Sequence, residues 1–300
     1  MHTPKEIADA VSVFYATRIE PLAFRLRRGR LKIFGVRDDS SLPVAELDFR
    51  QRSATCGALC ASLIRHHENA FQRFLVVYSD SSRTSKRCAT LAAIDLRKYR
   101  SFAQFEGNLA SARFVRDIRK ARRLGYEAQL FTHSEYVPDI VEIRKSLKWR
   151  AFGPVLDAFF LTSNAIGGAP RSPAPTTTPN CDKHWQLHLG VFLPEPGHRQ
   201  GDIVVDRKLV AYVRMDRTGN TVCLADGMAH GGHMRSGAMK LMHASIVQWL
   251  LAKDNFLAKG IDFLTYGAVE QGSYGLCVWK LRALFEPYLV RLAPIEKSSG

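Results

Sequence analysis

His230-Gly-Gly-His-Met-Arg-Ser-Gly237 lies between a run of strand character, Thr221-Val-Cys-Leu-Ala225, and an apolar-rich segment of helical character over about 238–252. Downstream, Ile261-Asp-Phe-Leu-Thr-Tyr266 reads as a second strand and Gly267-Ala-Val-Glu-Gln-Gly-Ser-Tyr-Gly275 as a polar loop. Leu276 to Phe285 then reads as a helix and Tyr288-Leu-Val-Arg-Leu292 as a closing strand. A glycine loop between a strand and a helix start can present bare backbone N–H groups to an anion, and the helix dipole favours negative charge there. His230, Gly231, Gly232, His233, Arg235, Ser236 and Gly237 are therefore candidate donor- or anion-binding residues, with Ser236 placed to cap the helix.

An antiparallel meander leads into this loop. Trp185–Leu193 reads as a strand, Pro194–Asp202 as its turn region, Leu209-Val-Ala-Tyr-Val-Arg-Met215 as the next strand, and Asp216-Arg-Thr-Gly-Asn220 as the turn into Thr221–Ala225. The order meander, glycine loop, helix, strand, helix, strand resembles the second half of the GNAT acyltransferase fold. In that fold the corresponding loop holds the pyrophosphate of an acyl donor. The family's motif is Gln or Arg, two residues, Gly, one residue, then Gly or Ala, and no register of residues 230–237 satisfies it. The resemblance therefore implies either a pyrophosphate held differently or a donor other than coenzyme A.

Nearer the start, apolar Ile7, Val11, Phe14 and Ile19 fit a short helix over the first twenty residues. Leu22–Leu26 and Leu31–Phe34 flank Arg28-Gly29, which predicts a hairpin because glycine tolerates the positive φ of the turn. Ala54 to Phe74 has helical spacing, and Leu75–Tyr78 and Ala89–Ile94 read as strands. In Ser111–Gly125, Phe114, Val115, Ile118 and Ala121 make an apolar stripe while Arg116, Arg119, Lys120 and Arg123 form a basic stripe on another face. Gly125 suits the position just past the helix end, and Tyr126–Phe131 follows as a strand. Pro138 suits the first turn of a helix running to about Trp149. Residues 165–182, crowded with proline and threonine, then read as a flexible loop between an N-terminal portion (1–164) and a C-terminal one (183–300).

Two segments extend the resemblance. Arg116-Asp-Ile-Arg-Lys-Ala-Arg-Arg-Leu-Gly125 resembles the R-x-I-R-K-A-x-x-x-G segment of Fem-like aminoacyltransferases, and Gly275-Leu-Cys-Val-Trp-Lys280 is similar to their G-L-x-x-F-K. Fem-like enzymes consist of two GNAT-like halves and move an amino acid from aminoacyl-tRNA to an amine. The resemblance implies a mixed α+β fold with one complete C-terminal GNAT-like half and a degenerate N-terminal one. It also implies a cation at Lys280 that neutralises charge at the acyl centre. The family continues with Phe-Gly three and four residues past its lysine, where Ala283 and Leu284 stand here; sliding the frame puts Arg282 in the lysine's place.

Attack of an amine on an activated acyl ester or thioester needs a base, oxyanion donors and positioning of both substrates. Glu270, a carboxylate in the loop after the 261–266 strand, is the candidate base; Tyr266 and Tyr274 are candidates for proton relay to the leaving group. His230 and His233 serve as alternative bases or anion ligands. The expected donor is a co-substrate, aminoacyl-tRNA or acyl-CoA, with no tightly bound cofactor, and the acceptor is a small-molecule or peptide amine. A nucleic-acid-binding protein with a GNAT-like shell but no chemistry, and a coenzyme-A-dependent N-acetyltransferase, are the competing readings.

Global features narrow the class. The net charge of +15 favours polyanionic partners, tRNA or a nucleotide-linked donor among them. No apolar run approaches the roughly 20 residues that cross a bilayer. Six cysteines without a disulfide framework suit a reducing cytoplasm, the expected location. Cys56 and Cys60 fall one helical turn apart without a third ligand nearby, and Cys181, His184 and His188 lack a partner in their own stretch, so the sequence predicts no metal site.

Overall fold

Strands point alternate side chains to opposite faces, so a sheet buried on both sides needs apolar residues on both. The computed structural model describes residues 19–36, 41–75, 89–109, 112–150, 153–154, 163–172 and 178–293. Within them one sheet is built from Val44–Leu47 (β1), Leu91–Asp95 (β2), Glu127–Phe131 (β3), His184–Pro194 (β4), Arg207–Thr218 (β5), Thr221–Ala229 (β6), Phe263–Ala268 (β7) and Glu286–Leu292 (β8). Their spatial order is β1-β8-β2-β7-β6-β5-β4-β3. The meander β4-β5-β6 is antiparallel, as the sequence predicts. β6 and β7 run parallel, joined through the helix Ala238–Leu250.

Helices cover both faces. Ala58–Phe71 is α2 and Glu20–Leu26 is α1; Phe24 and Phe71 pack with Ala45, Leu47, Leu91, Ala93, Phe263, Tyr288 and Val290 on one face. Further along that face, Val137–Lys145 (α5) packs Ile140 and Ile143 against Phe131, Phe192, Leu209 and Tyr212. The opposite face carries the largest core. There Phe105 of Phe102–Asn108 (α3), Phe114, Ile118 and Ala121 of Ala112–Arg123 (α4), and Leu241, Ile246 and Val247 of Ala238–Leu250 (α6) meet Leu187, Leu189, Val213, Met215, Val222 and Leu264. Tyr274–Arg282 (α7) closes that side with Cys277.

Three expectations change. The predicted hairpin at 22–34 is helical instead, with α1 followed by a 3-10 helix Arg28–Phe34. Gly29 makes no turn; Gly35, at φ +76°, ends the helix in the left-handed region that glycine adopts without strain. The two portions of the chain also interleave. β2 from the N-terminal portion pairs antiparallel with both β7 and β8, and β1 pairs parallel with β8. One sheet therefore holds strands from both sides of the 165–182 segment. Finally, Ser163–Ile166 forms a short helix where that segment begins. The helix expected in the first twenty residues, all but its last two, and the strand expected after Leu75 lie outside the described residues; Leu75 itself bridges Val290. No helix among the described residues is long and apolar enough to cross a membrane.

Candidate functional site

β6 and β7 part company along their length. Their parallel pairing spans Thr221↔Phe263, Val222↔Leu264 and Cys223↔Thr265. Past that level, β6 shifts register against β5 between Ala225 and Met228, with Asp226 at φ +49°. β7 shifts against β2 between Thr265 and Ala268, with Gly267 at φ +57°. Bulges bend and twist the strands that carry them, so irregularities at one level of two neighbours open a wedge between them. The loops at the two carboxyl ends, residues 230–237 and 269–273, flank its mouth, and in open α/β sheets that is where ligands bind. This parting of a parallel pair, spanned by α6 and preceded by an antiparallel meander, makes the fold GNAT-like.

The 230–237 loop is a 3-10 helix, Gly231–Ser236, and much of its polar capacity is used internally. Gly231 N–H donates to Ser146 Oγ (2.9 Å), Gly232 N–H to His230 Nδ1 (3.1 Å), and His233 N–H to His230 O (3.0 Å). Ser236 Oγ donates to His233 O (2.6 Å) and accepts from Ala238 N–H (3.2 Å), one position short of the expected cap, which Gly237 occupies. Gly237 is glycine for a packing reason. Its φ is +94°, and a Cβ there would lie 2.2 Å from Asp117 O on α4. A Cβ on Gly231 would likewise meet Leu147 at 2.8 Å, whereas one on Gly232 meets only the His230 ring, at 3.3 Å. The expected nest of bare N–H groups is thus replaced by a capped turn with cations around it. His230 Nε2 lies 3.3 Å from Glu142, and His233 Nδ1 shares a 2.6 Å hydrogen bond with Tyr126 OH. Burial holds the His233 imidazole below its ordinary range.

The basic stripe lies beside this loop. Arg116, Arg119, Lys120 and Arg123 are all exposed, while Phe114, Ile118 and Ala121 are buried beneath them, as the two-stripe pattern predicts. Gly125 ends α4 at φ +83°. Lys120 Nζ donates to Arg235 O (3.1 Å), Lys240 pairs with Asp117, and Arg235 is itself exposed. Two motifs more than a hundred residues apart thus form one cationic surface at the mouth of the wedge.

The 269–273 loop is the opposite in character. Glu270 is 1% exposed, and its carboxylate accepts from Thr90 N–H (3.0 Å) and Thr90 Oγ1–H (2.7 Å). Arg30 clamps the same loop, donating to Glu270 O (3.1 Å) and Gly272 O (2.6 Å). Lys280 is also 1% exposed. Its Nζ donates to Ala268 O (2.5 Å) and stands 5.0 Å from the Tyr266 ring. Burial pulls the Lys280 ammonium down to about 7, against the opposing pull of Cys277 and Glu270. Burial pushes the Tyr266 phenol up to about 12. Tyr274 and Arg282 point into solvent. Of the two cations the sequence leaves open, Lys280 is therefore the one inside.

A polar belt escaped the sequence reading. On the α2/α5 face, between the two apolar clusters, Gln186 Nε2 and Arg214 Nε donate to the buried Asp216 carboxylate (3.1 and 2.9 Å). His188, brought down to about 4 by burial, packs against His133 with ring centroids 5.0 Å apart and planes tilted by 48°. Arg144 donates to Tyr212 OH (2.8 Å) and pairs with Asp226, whose carboxyl burial raises above its ordinary range. The available signal was polar residues at every second position, Gln186 and His188, then Arg214 and Asp216, inside otherwise apolar strands.

No protein-family model and no curated protein matches the sequence. Among solved structures the chain is similar to FemX, at 10% identity over 79% of this chain and 68% of that one, with a TM-score of 0.45. It is similar to L-PGS from Bacillus licheniformis, at 10% identity, 66% and 58% coverage and TM-score 0.38. A GCN5-related N-acetyltransferase from Kribbella flavida aligns at 12% identity over 66% and 54%, with TM-score 0.28. The chain spans 58% of the L-PGS chain's length.

Proposed function

We propose that this protein is an acyltransferase that moves an acyl or aminoacyl group from an activated, anionic donor to an amine. The observation that carries the reading is the wedge between β6 and β7 with a cationic surface at its mouth and a desolvated lysine at its side. The exposed Arg116, Arg119, Lys120, Arg123 and Arg235 suit the phosphates of a tRNA or a nucleotide-linked thioester. The internally capped loop favours aminoacyl-tRNA over coenzyme A, because a pyrophosphate would have to displace Ser146 and His230 from the Gly231 and Gly232 N–H groups. The Fem-like segments at 116–125 and 275–280 point the same way.

Two groups at the wedge are shifted toward neutrality from opposite directions, the Lys280 ammonium downward and the Asp226 carboxyl upward. Such shifts are what general acid–base work near pH 7 requires. Lys280, held at the end of β7, stabilises the acyl oxygen when protonated. Glu270 positions the loop through Thr90, and Asp226 takes its place as the first base to test.

The test is to incubate the protein with labelled aminoacyl-tRNA or acyl-CoA and a panel of amines, following the label by mass spectrometry. Transfer to an amine supports the proposal, and the consumed donor identifies the class. Tight tRNA binding with no consumption of either donor would instead establish the nucleic-acid-binding reading.

A further inference from the structure

Ser53–Cys60, leading into α2, and Cys181–His184, leading into β4, meet at one corner of the sheet. Cys56, Cys60, Cys181 and His184 bring three sulfurs and one imidazole nitrogen there, all within 4.8 Å of one another. Cys56 Sγ is 3.7 Å from Cys181 Sγ and 3.4 Å from His184 Nδ1; Cys181 Sγ is 3.6 Å from His184 Nδ1. A tetrahedral ion with Zn–S of about 2.3 Å and Zn–N of about 2.0 Å places sulfurs about 3.8 Å apart and sulfur and nitrogen about 3.5 Å apart. The three separations among Cys56, Cys181 and His184 match edges of that polyhedron, and Cys60 Sγ lies within 4.8 Å of all three donors. They do not match a disulfide, whose sulfurs sit about 2.05 Å apart.

The surroundings orient the donors. His184 Nε2 faces Phe49 O at 3.0 Å, which places the ring proton on Nε2 and turns the Nδ1 lone pair toward the sulfurs. Backbone N–H groups point at two of the sulfurs, Ser53 N at Cys56 Sγ (3.2 Å) and Gly57 N at Cys60 Sγ (3.5 Å). The chain nearby is fixed independently: Gly219 N–H donates to Lys183 O (2.9 Å), and Asn220 ties Glu46 O (3.1 Å) and Asp48 N (2.9 Å) to the β5–β6 turn.

We propose that Cys56, Cys60, Cys181 and His184 bind one zinc ion in a closed Cys3His site. Four protein ligands leave no open position, so its role is structural. It staples the β1–α2 connection to the start of β4 and anchors the end of the 165–182 segment. In the sequence each pair lacks partners within its own stretch; the fold supplies them from a segment more than a hundred residues away. His188, tempting by spacing, packs against the His133 ring instead.

Elemental analysis of the full chain, purified without chelator, tests the site. One equivalent of zinc per chain is expected, and replacement by cobalt(II) should give the visible d–d and thiolate charge-transfer absorption of a tetrahedral site. Cys181→Ser and His184→Ala should lose the metal, and His184→Cys should retain it, which distinguishes ligation from a general need for folding. In the wild type, thiol-reactive probes should find Cys56, Cys60 and Cys181 protected until chelator is added. Metal-free wild-type protein, metal retained in Cys181→Ser, or a Cys56–Cys181 disulfide found by peptide mapping would each overturn the proposal.

Discussion

The two loops at the carboxyl ends of β6 and β7 treat charge in opposite ways. Around residues 230–237 the cations lie in water, on α4 and at Arg235, and the backbone beneath them is internally bonded. Around residues 269–273 the charged groups are buried and bonded to backbone, Glu270 to Thr90 and Lys280 to Ala268. Exposed charges attract a polyanion at little cost to folding and are screened by salt. Buried ones are expensive to hold, titrate abnormally, and suit chemistry rather than capture. On the proposed reading, solvent exposure separates the groups that dock the donor from those that react with it.

The harshest way to probe the first loop is Gly237→Val. The Asp117 O contact and the positive φ should cost about 4 kcal/mol or more, read as lost folded protein in urea titration. Gly232→Val, facing only the His230 ring, should leave stability nearly intact and so report donor binding by calorimetry. Equal damage from both would erase the distinction between packing glycine and surface glycine.

Lys280→Met comes next. Turnover should fall by about 10²–10³, the range for losing one oxyanion donor. Stability should lose a pH dependence. Between about 7 and 10.5 the unfolded chain binds a proton that folded Lys280 does not, so unfolding free energy rises with pH across that window. The Met variant should flatten that rise; an unchanged slope would mean that Lys280 is hydrated.

Glu270→Gln should cost about 1–3 kcal/mol of stability, because the Thr90 donors lose part of their acceptor set. A fall in kcat of about 10²–10⁴ at unchanged stability would restore Glu270 as the base and displace Asp226. Smallest in stability is the change of Arg116, Arg119, Lys120 and Arg123 together to Gln, expected within about 0.5 kcal/mol. Its effect belongs to binding, where the log–log salt slope for tRNA should drop by about 3–4. An unchanged slope removes α4 from the docking surface.

Local pattern carried the sequence reading as far as local pattern reaches. The meander, α2, α4 and the strand–helix–strand around α6 were legible because their apolar periodicities are long and uninterrupted. Residues 22–34 misled because Arg28-Gly29 imitates a turn, while the glycine that matters is Gly35. Thr90, which holds Glu270, and Arg30, which clamps its loop, carry no sequence signature at all. The placement of β2 between β7 and β8, and the meeting of Cys56 with Cys181, are long-range facts that no window of residues contains.

That placement of β2 sets the order in which the molecule can be completed. Ile94 pairs with Leu264 and Ala92 with Pro287, so on the ribosome β2 emerges long before either neighbour exists. At about 5–20 residues per second, the delay is on the order of 10–40 s. Such distant pairings are slow to form, and an unpaired apolar strand is open to association with other chains. The stretch that carries β7 and β8, residues 263–292, acts as a keystone, and slowed translation or truncation there should show first as aggregation of nascent protein.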